Sequence, residues 1–245
     1  MCDAASERGR GWKGWMELPP AAPLKPAGPW VDCSWPIAED MPRVAVFPPP
    51  TIRRIKSLPQ DPINVTELGM VVHTGTHVDA PHHFFMDGPP MEQVPVERLC
   101  GAGVVWRFDK KERELIDVAD LERATPAIRP GDIVAIDTGF AARHGTPAYD
   151  DHPSLSHAAA EWLVAKKAKL VACDFGTPDL PLHRRAKDFN WPVHNELLSH
   201  GVLICEHLTG HSGLAGKRVE FVFSALNVRS SDGAPARVMA REVAE

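Results

Sequence analysis

His73-Thr74-Gly75-Thr76-His77-Val78-Asp79-Ala80-Pro81-His82-His83 is the stretch from which the rest of this chain can be understood. Its threonines and valine favour an extended backbone, and it reads as the end of a strand over Gly69 to Asp79, rich in Val and Thr. Side chains two apart in a strand share a face. His73, Gly75, His77 and Asp79 then point one way, and Thr74, Thr76 and Val78 the other. On a helix His73 and His77 would align, but Asp79 would fall well round the cylinder. Two imidazoles and a carboxylate on one face suit Zn²⁺, Mn²⁺ or Fe²⁺ and leave positions open for water or substrate. Gly75 is expected to leave space above the strand where a side chain would crowd the ion. Pro81 cannot continue a central strand, so the chain turns there and can bring His83 back over the site. Any one of these histidines alone is accounted for as a solvated side chain. The three-donor pattern is not.

The flanking sequence alternates strands with helices. Val104 to Phe108 and Ile133 to Thr138 read as strands, each after a glycine turn signal. Ser156 to Ala168 reads as a helix, followed by a strand over Leu170 to Phe175. Asn195 to His200 reads as a short helix stopped by Gly201, ahead of a strand over Val202 to Glu206. Val219 to Leu226 and Ala236 to Ala240 complete the strands. Trp30 to Pro36 is a short apolar segment, and Met41 to Pro50 a proline-rich loop. Residues 1–29, interrupted by Pro19, Pro20, Pro23, Pro26 and Pro29, are expected to form an extended or partly disordered arm that could pack on a neighbouring subunit. There is no internal repeat and no second composition regime. The expectation is one mixed α/β domain over residues 30–245.

Composition excludes several classes of function. Lys plus Arg number 27 against 32 Asp plus Glu, a formal net charge of −5, which gives no electrostatic footprint for nucleic acid or an anionic membrane. No apolar run approaches the roughly 20 residues of a membrane-spanning helix, and Met1 to Leu18 holds no secretory apolar stretch. Cys2, Cys33, Cys100, Cys173 and Cys205 are scattered, without a CxxC pair. Reduced thiols in a cytoplasmic compartment fit that usage, with Cys173 and Cys205 in the core. HExxH, GxSxG, a phosphate-binding P-loop and a complete dinucleotide fingerprint are all missing.

A second cluster surrounds Pro192-Val193-His194-Asn195-Glu196 and Ile204-Cys205-Glu206-His207. The alternation Val202, Ile204, Glu206 puts a carboxylate on an otherwise apolar strand face, and a buried carboxylate needs a cation or hydrogen-bond partner. Glu196 and His200 can be the exposed face of a short helix. Spacing alone does not single out His194. Trp35, Trp191 and Phe84 lie near these segments in sequence and either line an aromatic pocket or pack in the core.

The string His73 to His83 resembles the HxGTHxDxPxH motif of the cyclase family of metal-dependent hydrolases, which includes kynurenine formamidases and isatin hydrolases. The resemblance extends to Asp32-Cys33-Ser34 with Met41-Pro42, Gly131 to Gly139, Leu170 to Asp179, Pro192-Val193-His194 followed by Glu206, and Asp232-Gly233-Ala234-Pro235-Ala236-Arg237. It implies a swivelling β/β/α domain with a mixed sheet and a homodimer or homotetramer. It further implies that His73, His77 and Asp79 hold a divalent metal, Mn or Zn, with His194 and Glu206 completing a second ion site in dinuclear members. His83 resembles the catalytic histidine, and His82 falls at a variable position. The implied reaction is hydrolysis of an amide, lactam or formamide bond in a small cyclic or aromatic substrate by metal-activated water. Two alternatives stay open. His77-Val78-Asp79 with a distant histidine also resembles the facial triad of non-haem iron oxygenases, and a non-catalytic metal-binding protein would use the same donors.

Overall fold

Short apolar runs supply thirteen strands among residues 9–244, the part of the chain that this computed structural model describes. The first seven are β1 (Lys25–Pro26), β2 (Val31–Asp32), β3 (Thr51–Lys56), β4 (Val65–Gly69), β5 (His77–Asp79), β6 (Cys100–Arg107) and β7 (Leu115–Ile116). Helices then alternate with strands: α1 (Val118–Arg123), β8 (Ile133–Asp137), β9 (Ser154–Leu155), α2 (His157–Ala165), β10 (Leu170–Cys173), α3 (Pro192–Ser199) and β11 (Leu203–Glu206). The long strands β12 (Lys217–Ala225) and β13 (Gly233–Ala244) follow.

The main sheet runs β13-β12-β6-β8-β10-β11-β5, and β5 pairs back onto β13, so the strands close into a ring. The β6–β8, β8–β10 and β10–β11 pairs are parallel, and the remaining pairs of the ring are antiparallel. The fold is therefore a mixed α/β sheet with few helices. Parallel strands covered on both faces need continuous apolar sequence, and β8 provides it. Ile133 and Ala135 join Val105, Leu170, Phe221 and Val238 in a cluster formed among the strands themselves. Val134 and Ile136 face the other way, into a cluster with Ala159, Leu163, Val193 and Leu197 of α2 and α3.

The helix read at Ser156 forms from His157, with Ser156 accepting the Ala159 N–H as its cap. The later helix begins at Pro192, three residues ahead of its expected start at Asn195, and Gly201 follows its end at φ +71°. Its early start has a distant cause. Asp179 Oδ1 and Oδ2 accept the N–H groups of Val193 and His194 at 3.1 and 3.0 Å, satisfying donors that a helix's own first turn leaves free. No local cap residue announces this.

The expected strand over Gly69 to Asp79 is a correction. β4 ends at Gly69, Met70 to Thr76 have no regular structure, and β5 begins only at His77. Here tertiary hydrogen bonds override β-propensity. Gly75 donates to the Pro42 carbonyl at 2.7 Å, while Thr76 Oγ1 donates to the His207 carbonyl and accepts from Trp35 N–H. Gly75 itself sits at φ +63°, and an added Cβ would lie 2.7 Å from Met41 Cε. It is glycine because the chain turns tightly against Met41, not because it makes room for an ion. Residues 9–29 contain no helix; β1 pairs with β13, and Trp12 and Met16 pack against the core under the helices.

Candidate metal centre

β5 and β11 lie side by side with His77 in register with Glu206, so the two side chains share a face. Asp79, two residues on, shares that face as well. His194 enters from the first turn of α3 and His73 from the irregular segment before β5. His77 Nε2 stands 3.3 Å from Asp79 Oδ1 and 3.5 Å from Glu206 Oε2. His194 Nε2 stands 3.3 Å from Glu206 Oε1 and 3.6 Å from Asp79 Oδ2. His73 Nδ1 is 2.8 Å from Asp79 Oδ1. All five side chains are buried. Donor atoms of His73, His77 and Asp79 lie within 4.8 Å of one another, as do those of Asp79, His194 and Glu206. Asp79 belongs to both groups, a geometry that can serve one ion or bridge two.

The donors suit a cation. His77 gives Nδ1–H to the Gly75 carbonyl at 2.7 Å, which leaves Nε2 as the lone-pair nitrogen of the neutral ring. That nitrogen is buried without a hydrogen-bond partner and faces two carboxylates, so a positive ion among them resolves an otherwise unfavourable contact. His194 hydrogen-bonds Asp179 through Nδ1 at 2.6 Å and turns Nε2 toward Asp79 and Glu206. A carboxylate behind an imidazole fixes the tautomer that a metal ligand needs. The cap of α3 thus also aims His194.

Charge follows the same geometry. Burial works against a charged His194, but its hydrogen bonds to Asp179, Asp79 and Glu206 hold its pKa well above the imidazole range. Burial of His73 is likewise outweighed, by Asp232 and Asp79, and its pKa is pushed up to about 10. Asp79 offsets its own burial through His194, His73 and His77 and stays well below the usual carboxylate range. An ion entering this cluster must displace protons from the imidazoles, so its binding weakens as pH falls.

His83 lies at the rim. It ends the 3₁₀ turn Pro81–His83, stacks on His73 at 3.9 Å and places Nδ1 3.4 Å from Asp232 Oδ2. His82 turns away, with Nδ1 3.2 Å from the Gly88 carbonyl. Phe84 stacks on His194 at 4.9 Å, and Trp191 lies 6.1 Å from Phe84. Trp35 is not with them; it packs edge-on against His144. The structure therefore brings together every residue read from sequence as a metal donor. It adds two partners for which spacing assigned no role. Asp179 orients His194, and Asp232 bonds His73 Nε2 at 2.8 Å while facing His83. Asp232-Gly233 belongs to a segment that carries the family resemblance, but its role beside His73 shows only in its return alongside β5. With five clustered donors, the site also exceeds the three of an iron facial triad.

The chain is similar in sequence and fold to known proteins. The sequence model of the family described as "Putative cyclase" matches residues 31–180, and the chain belongs to that family. It is 26% identical over 224 residues to kynurenine formamidases of Bacillus cereus and Bacillus anthracis, covering 87% of this chain and 98% of each relative. Among solved structures it resembles a potential metal-dependent hydrolase with cyclase activity, at 27% identity and a TM-score of 0.73, covering 89% of this chain and 100% of the other. An isatin hydrolase bound to the product analogue thioisatinate shares the fold at 21% identity and a TM-score of 0.79, covering 89% and 93%.

Proposed function

We propose that this chain is a hydrolase that uses one or two divalent ions, Mn or Zn, to cleave an amide, lactam or formamide bond in a small cyclic or aromatic substrate. The observation that carries this reading is the buried His77 Nε2, unpartnered and set between two carboxylates. The kynurenine formamidase and isatin hydrolase relatives support the choice of a carbon–nitrogen bond. His73, His77 and Asp79, with His194 and Glu206, are the ligands in this reading. A bound divalent ion supplies a water acidified toward neutrality and a polarised carbonyl.

The chain's own groups do the rest. His83, held by Asp232 on its Nδ1 side, takes a proton from the attacking water and returns it to the leaving nitrogen. The water oxygen bonds to the carbonyl carbon and the C–N bond breaks, giving a carboxylic acid and an amine. Phe84 and Trp191 offer an aromatic wall beside His194 for an aryl ring. Metal analysis of protein purified without chelator, paired with assays on N-formylkynurenine and isatin, tests the reading. One to two equivalents of Mn or Zn with turnover of either compound supports it. Protein that can be neither isolated with metal nor reconstituted overturns it.

In this reading the chain works as a homodimer or homotetramer in a reducing, cytoplasmic setting. Support for assembly comes from the β3–β4 hairpin, a separate two-stranded sheet that exposes Ile52, Ile55 and Leu68. Ile52 lies directly opposite Leu68. A two-stranded ribbon is marginal in water without cover, and a second copy supplies it. Sedimentation equilibrium is expected to give a dimer or larger for the wild type and a monomer for the double variant Ile52→Lys, Leu68→Lys; a wild-type monomer removes the proposal. The free cysteines Cys33, Cys100, Cys173 and Cys205 support the compartment, which cell fractionation tests. No helix among the described residues is long and apolar enough to cross a membrane.

A further inference from the structure

Arg185 is a cation that no carboxylate touches, with Asp179 and Glu206 acting on it only from beyond contact distance. It is half-buried, yet no carboxylate among the described residues lies within ion-pair distance of its guanidinium. By contrast Arg218, Arg113 and Arg241 are each closely paired, at 2.6 Å. Its firm hydrogen bond runs from Nε to the Leu180 carbonyl at 2.8 Å, and Nη2 makes a long contact of 3.4 Å to Thr177 Oγ1. A guanidinium carries five N–H donors, so most of those on the Nη atoms remain uncommitted. Taking a charge part-way out of water without a partner is costly, and such a group at a cavity wall is poised for an anion from outside the chain.

Its position ties it to the metal centre. The guanidinium carbon lies 5.3 Å from the ring centres of both Phe189 and Trp191. Trp191 leads through Phe84 to His194. On its other side Arg185 lines a cavity of ≈ 320 Å³ together with Thr177, Gly176, Tyr149 and His207. His207 follows the donor Glu206 directly in the chain, and its ring centre is 6.0 Å from that of His77. Its Nε2 is also buried without a partner, on the ring edge that faces Gly176. The cavity thus presents the guanidinium of Arg185 one residue from the donor Glu206, through His207, and the aromatic rings of Trp191 and Phe84 run from Arg185 to His194.

We propose that Arg185 is a specificity-determining residue that binds a carboxylate carried by the substrate, so that the enzyme favours anionic aryl amides over neutral ones. This rests on the hydrolase reading above and deepens it. Arg suits the task because its planar fork matches a carboxylate in two parallel hydrogen bonds. Stacking on Phe189 and Trp191 fixes the plane of that fork and reduces the order it must gain on binding. Lys keeps the charge and loses the fork.

The test compares metal-loaded wild type, Arg185→Gln and Arg185→Lys on N-formylkynurenine, which carries a carboxylate, and formanilide, which does not. A charge-assisted hydrogen bond lost from a partly buried site reduces binding by about tenfold to a hundredfold. The ratio of kcat/KM for the charged over the neutral substrate is therefore expected to fall by about that factor in Arg185→Gln. The fall should come mainly through KM, with part of it recovered in Arg185→Lys. Equal losses on both substrates, or no loss, overturn the proposal while leaving the hydrolase reading intact. If neither compound is turned over, calorimetry with hippurate and its neutral amide decides. A wild-type preference for hippurate that disappears in Arg185→Gln supports the assignment, and the absence of that preference overturns it.

Discussion

A His77→Gln enzyme is expected to keep its fold and lose its metal. His77 is buried, with Nδ1–H bonded to the Gly75 carbonyl and Nε2 facing Asp79 and Glu206. The glutamine amide is close in size and can donate an N–H hydrogen bond to either carboxylate, so the protein without metal loses little stability. What disappears is a lone pair aimed into the cluster. Even residues that only support a ligand cost about 10–100-fold in metal affinity when removed, and removing a ligand itself should exceed that. Three measurements check the result: metal per subunit, turnover, and the melting temperature with and without added Mn or Zn. An ion at about 100 times its Kd stabilises the wild type by about 2.7 kcal/mol, roughly 5–10 °C for a domain of this size. In the variant that shift should vanish together with activity. Full metal occupancy with normal turnover would remove His77 from the ligand set.

His83→Asn should behave in the opposite way, keeping its metal and losing its rate. Removal of one general acid–base group costs about 10²–10⁴-fold in turnover. His83 is partly exposed and its nearest acidic partner is the half-exposed Asp232, so the cost to stability should be about 1 kcal/mol or less. The geometry makes the contrast sharp, because His73, His83 and Asp232 also form a group whose donor atoms lie within 4.8 Å of one another. A variant that loses metal as well as rate would make His83 a ligand instead of a proton carrier. One that keeps both would leave it without a role in the reaction.

His73, His77 and Asp79 were legible in the sequence because their types are chemically distinctive and the three lie within seven residues, whereas His194 was reached only through the family resemblance. The local structure that presents them was less so. Period-2 alternation correctly puts His77 and Asp79 on one face, but it also extends the strand back over His73, where the chain in fact turns at Gly75. His73 reaches the cluster from an irregular segment held by Pro42, Trp35 and His207, contacts that no local pattern encodes. The start of α3 was hidden for a related reason, since its cap is Asp179, supplied from a separate loop. Strands β8, β10 and β11 were plain from their continuous apolar runs. The β3–β4 hairpin was not, because Thr51–Lys56 and Val65–Gly69 mix apolar and polar residues without a period of two, and no core receives them.

The closure of the sheet has a consequence for how the enzyme is made. β5 is completed on one side by β13, where Gly233 lies in register with Asp79, and Asp232 is 159 residues beyond the His73 that it binds. At a synthesis rate of about 5–20 residues per second, His73, His77 and Asp79 wait roughly 10–30 s for the segment that finishes their surroundings. During that time β5 lacks the partner strand that completes it. Only when the ring shuts are the distances to His194 and Glu206 fixed. The full five-donor arrangement therefore exists only in the completed chain.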